Sequence, residues 1–124
     1  MKTILGVLSQ ELNKVIPYEF MQWTASLRYP YWVGEIAETA SDNEDGCREF
    51  TAIVTGTTRG SWLELEDDRA KVEDHFPSIY GLRVPTDDGA VVIFYENSSP
   101  VPTGEADLKR LQINLRIIHL KGMN

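Results

Sequence analysis

The chain has a single cysteine, Cys47, and only two histidines, His75 and His119, in 124 residues. These scarcities exclude whole classes of chemistry. One thiol cannot close an intrachain disulfide, so nothing here asks for an oxidising compartment, and a reduced, cytoplasmic setting with Cys47 as a small buried group is expected. A metal site needs several converging ligands, and neither histidine stands in HxxH or CxxC spacing. Both are expected at the surface or as caps, and no metal or other cofactor is expected.

Catalytic signatures are equally scarce. No G-x-S-x-G elbow surrounds Ser9, Ser61 or Ser78, and the glycines of "GTTRGS" (56–61) lack the lysine of a phosphate-binding loop. Cations are in deficit, with 12 Lys and Arg against 19 Asp and Glu, a formal charge of −7. Affinity for phosphates comes from basic side chains displacing counterions, so no specific nucleic-acid binding is expected. Long apolar runs are missing too: Gln10, Glu11, Asn13 and Lys14 break up the first, and none approaches the roughly 20 residues that span a bilayer. The expectation is a soluble, unexported protein that is not an enzyme.

What is present is ordinary globular composition, 42% hydrophobic and 25% charged, over a length that suits one domain, 1–124. Leu5, Leu8, Leu12 and Val15 recur on one helical stripe that Pro17 ends. A short strand is expected within 19–23. Residues 31–38 read as a strand rich in aromatic and β-branched side chains, with Pro30 at its mouth. Tyr31 and Val33 point one way and Trp32 and Ile36 the other, so this strand is apolar on both faces. One face meets the first helix, and the other needs a cover from this chain or a neighbouring subunit.

An acidic stretch follows, with Glu35, Glu38, Asp42, Glu44 and Asp45 before Gly46. It does not make an EF-hand: with Gly46 at the sixth position, the first would be Ser41 and the twelfth Ala52, where carboxylates are needed. The segment therefore reads as a solvated hairpin loop leading into the alternating strand "CREFTAIVTGTT". Ser61 and Glu64 then mark a capping box. Trp62, Leu65, Val72 and Phe76 form the stripe of a second helix, in which Arg69 must snorkel or find a carboxylate. Asp67 and Asp68 are expected to face water. Strands at 81–84 and 90–96 flank an Asp88-Gly89 turn, and Leu111, Ile113, Leu115 and Ile117 alternate with polar residues as a last strand, although Leu108, Leu111, Leu115 and Ile118 also fit a helix. The fold class expected is α+β, an antiparallel sheet with two helices packed on one face.

This order of a leading amphipathic helix, a "YPYWVGE" strand, an acidic hairpin loop, the helix "SWLELEDDRAKVEDHF" and a closing "RLQINLRIIHL" strand resembles the tail terminator, or tail completion, proteins of tailed bacteriophages and prophages. The resemblance spans nearly the whole chain and rests on order, length and the P-Y-hydrophobic strand; the family has no catalytic signature. It implies a structural virion protein, made in the host cytoplasm, that closes into a homo-oligomeric, usually hexameric, ring. Such a ring would join the tail tube to the head connector around the DNA channel. Tyr29, Tyr31 and Trp32 would then supply an apolar interface patch, and Asp42, Glu44 and Asp45 would line the lumen or face a partner ring. The residues themselves leave open whether Trp32 is core or interface. They are also compatible with a small host protein that binds partners through a sheet edge, and with an enzyme whose acids meet in a pocket the sequence does not reveal.

Overall fold

The computed structural model describes residues 2–24, 26–40 and 47–122. Helix α1 (Lys2–Leu12) is followed by strands β1 (Tyr18–Phe20), β2 (Tyr31–Ala40) and β3 (Cys47–Thr58). Helix α2 (Trp62–His75) and strands β4 (Leu82–Thr86), β5 (Gly89–Val101) and β6 (Lys109–Lys121) complete the order. The six strands form one sheet in the order β1-β2-β3-β6-β5-β4. No helix among the described residues is long and apolar enough to cross a membrane.

The α+β class stands, but the sheet is mixed, because β1 runs parallel to β2. After Phe20 the chain returns to enter β2 beside β1 in the same direction. Backbone bonds from Trp32 N–H to Pro17 O (3.0 Å) and from Met21 N–H to Gly34 O (2.8 Å) hold the pair. Every other pairing is antiparallel.

The period-two reading of the last segment holds, and the helical alternative does not. Ile117 sits opposite Phe50 on one side and Ile93 on the other, and Leu115 sits between Ala52 and Tyr95. A helix would forfeit these cross-strand apolar pairs, which stabilise a sheet by about 0.2–1 kcal/mol each. Strand β5 runs past its expected end to Val101, with a bulge between Tyr95 and Asn97. Pro100 is tolerated there because β4 pairs only with residues 89–93, which leaves that stretch of β5 as a sheet edge. The hairpin turn itself is formed by residues 87–88, and Gly89 is already the first residue of β5.

The buried side chains form one cluster on one face of the sheet. Trp32, Phe50, Val54, Ile93, Leu115 and Ile117 meet Ile4, Leu8 and Leu12 of α1 and Leu65, Val72 and Phe76 at α2. The first helix is shorter than expected, closing at Leu12, and Ile4 takes the buried position given to Leu5. In the second, Trp62 is exposed at the first turn and Asp68 is buried in its place on the stripe. Ser61 caps α2 by accepting from Leu63 N–H (3.0 Å), but Glu64 does not reach back to complete the box. Its carboxylate instead accepts from the Thr58 hydroxyl (2.7 Å), a wholly buried group that needs a partner.

Tyr18 illustrates how β1 is seated. Its ring lies where a side chain on Gly34 would be, with the hydroxyl 2.6 Å from the position of a Cβ there. Burial pushes the Tyr18 hydroxyl pKa up from 10.0 to about 12. The folded protein resists ionisation while the unfolded chain ionises near the ordinary value, so this group's contribution is complete below pH 10 and is lost as the pH rises through 12. Tyr18→Phe is expected to remove that alkaline loss, seen as a flatter stability profile in urea titrations between these pH values.

Candidate functional site

The segment that joins aromatics to acids starts at a cis Tyr29–Pro30 bond and feeds straight into β2. Its side chains divide as strand alternation requires. Tyr31 points away from the helices and packs at a tilt between Trp23 (centroids 5.3 Å) and Tyr29 (5.8 Å). Around this aromatic group Phe20, Met21 and Leu27 stand exposed. Arg59 reaches Tyr29 and donates to Asp107 Oδ2 (2.8 Å); these partners hold its guanidinium pKa above the usual range.

Trp32 points the other way and is wholly buried. Its indole lies flat over Gly56 of β3, where a Cβ would come within 2.6 Å of three ring atoms. Its Nε1–H donates to Asp68 Oδ2 at 2.9 Å. The interface expected of Tyr29, Tyr31 and Trp32 is corrected in that respect: Trp32 belongs to the core, and only Tyr29 and Tyr31 border the surface. Asp68 is corrected too. Instead of facing water it is buried to receive the indole proton, whereas Asp67 is exposed. An aspartate on the inner stripe of α2 and a tryptophan on an alternating strand were the available signals, since a buried indole N–H requires an acceptor.

Arg69 finds the carboxylates its position demanded. It donates to Glu66 (2.6 and 2.8 Å) and Glu73 (2.7 Å) and also to the Tyr95 hydroxyl (3.2 Å), and these partners raise its pKa. His75 is half-buried and bonds Glu11 across the two helices (2.9 Å). Burial of the Glu11 carboxyl would raise its pKa, but hydrogen bonds from Lys14 and His75 outweigh this and lower it. His119 is buried, not superficial, and its Nε2 lies 3.3 Å from Asp88 Oδ1. The Thr86 hydroxyl and then His119 lower the Asp88 pKa. These pairs tie elements together: α1 to α2, and the β4–β5 turn to β6.

Among the described residues no three His, Cys, Asp or Glu side chains converge as metal ligands. One surface depression is lined by Ser78, Ile79, Phe94, Tyr95, Glu96, Asn97 and Arg116. Arg116 is stacked over Phe94 (5.5 Å) and paired to Glu49 (2.8 Å), so its charge is already engaged. The face opposite the helices carries half-exposed Val33, Ile53, Val92 and Phe94 among Thr51, Thr55, Gln112 and Asn114. Asp42, Glu44 and Asp45 lie outside the described residues.

No protein-family model matches the chain, and no curated protein sequence matches it. A solved structure does: a chain of the virion of a native gene transfer agent particle is similar, with a TM-score of 0.63 at 13% identity. The likeness covers 90% of this chain and 82% of that one. At this identity it establishes a shared fold.

Proposed function

We propose that this chain is a structural virion protein of a tailed phage or prophage, and within that class a tail terminator whose subunits close into a ring between the tail tube and the head connector. The observation that carries the reading is the fold likeness, over 90% of this chain, to a chain of a gene transfer agent virion. The element order that resembles tail terminators supports the finer assignment. So does the aromatic group of Trp23, Tyr29 and Tyr31 at the edge of the sheet, a surface suited to a subunit join. Ring closure uses a heterologous interface, in which one patch of each subunit meets a different patch of the next. The net charge of −7 suits a wall that DNA passes without sticking.

Light scattering on a dilution series, alone and with the tail tube protein of the same particle, tests the reading. A discrete oligomer in at least one of these conditions is the expected result. A strict monomer at high concentration that stays monomeric with the tube protein present would remove the ring.

A further inference from the structure

Among the described residues, Trp62 and Leu63 of the first α2 turn are exposed, and the other exposed large apolar side chains stand at the two edges of the sheet. Met21 (62% exposed), Leu27 (58%), Phe20 and Tyr29 gather at the β1 edge. Ile79 (81%) and Tyr80 (85%) are the most exposed of all and stand just before β4, at the opposite edge. The chain is held firmly under that pair. Gly81 adopts φ +69° against the Phe94 and Val92 side chains, its N–H donates to Pro77 O (2.8 Å), and Tyr95 N–H donates to Phe76 O (2.9 Å). A short turn closed by these bonds holds two bare apolar side chains out from the sheet, which is the form of a knob.

Each patch has a nearby charge whose counterpart of opposite sign is at the other, although Arg83 of β4 also stands exposed at the second edge. Arg28 lies between Leu27 and Tyr29, and Glu96 lines the same depression as Ile79. Both are exposed, and neither has an ion-pair partner among the described residues. Two unlike patches at opposite edges, one with a free cation and one with a free anion, cannot satisfy each other within a subunit. They can do so between successive copies placed head to tail.

We propose that the occupant of the β1-edge aromatic patch is a second copy of this chain, whose Ile79 and Tyr80 insert beside Tyr29 with Glu96 facing Arg28. The proposal rests on the ring reading and assigns that ring its two contact surfaces.

Cysteines beside the patches test it without altering them. With Cys47 changed to serine, Ser26→Cys and Ser78→Cys are made singly and together, and each protein is oxidised under the conditions in which the parent oligomerises. The double variant is expected to give a ladder of cross-linked species on a non-reducing gel, and each single variant to stay monomeric. Single variants that dimerise would show like patches meeting, and a double variant that stays monomeric while the protein still oligomerises would place the join elsewhere; either overturns this interface and leaves the ring standing. A parent that is monomeric in every condition overturns both. As a second arm, Tyr80→Ala should weaken assembly at least about tenfold with the melting temperature unchanged. Arg28→Glu and Glu96→Arg should each weaken assembly, and the two together should restore it. Charge variants that assemble as the parent does would overturn the pairing.

Discussion

Replacing Trp32 with alanine is expected to cost about 3 to 5 kcal/mol of folding stability. That is a large part of the ~5–15 kcal/mol that holds a typical domain together. The indole is wholly enclosed between the sheet and the helices, and its removal opens a cavity over Gly56, which has no side chain to fill it. It also strands Asp68, whose carboxylate would keep, among the described residues, only Lys71 at 3.7 Å. Trp32→Phe separates the two effects, since it retains most of the ring volume but removes the donor, and it should cost less than the alanine change. Urea denaturation of both variants reads the difference. A Trp32→Ala protein with near-parental stability that fails only to assemble would restore the interface role that its burial argues against.

Period and punctuation make most of this fold legible. The alternation Leu111, Ile113, Leu115, Ile117 marks β6, Ser61 marks the start of α2, and the Tyr31/Trp32 alternation correctly separates a surface side from a core side. What escapes is whatever depends on partners distant in sequence. The parallel pairing of β1 rests on backbone bonds between Pro17 and Trp32 and between Met21 and Gly34, and no local pattern encodes these. Asp68 reads as one of two adjacent solvated acids because the indole of Trp32 that aims at it is 36 residues away. His119 reads as superficial because its burial comes from an inward register position beside Val91 and Arg48. Ile79 and Tyr80 carry no periodic signal at all, since exposed apolar residues in a turn become noticeable only once the sheet edge beside them is known. The proposed assembly surface is thus half visible in sequence: the aromatic strand entrance can be read, and its counterpart cannot.

The turn that closes the β4–β5 hairpin should be the other most sensitive point, and Gly89→Ala is expected to cost about 3 kcal/mol. Gly89 has φ +151°, and a Cβ there would lie 1.8 Å from the carbonyl oxygen of Leu120. The obstacle is backbone in a paired strand, so no rotamer change can relieve it, and β5 must part from β6 at Lys121 or the turn must refold. Either response disturbs the contacts that anchor this corner. Gly122 N–H donates to Asp88 O (2.7 Å), and Asp88 also meets His119 and Thr86. Gly104→Ala provides the control, because Gly104 also has a positive φ, +78°, and a Cβ there would meet nothing within 4 Å. That change should cost only the backbone strain of a left-handed non-glycine residue, about 1–2 kcal/mol. The excess of the first variant over the second, measured by urea denaturation, reports the collision with Leu120 together with the greater backbone strain of a non-glycine residue at φ +151°. Equal costs would mean that strand β6 yields freely there and that the corner is not rigid enough to hold His119 against Asp88.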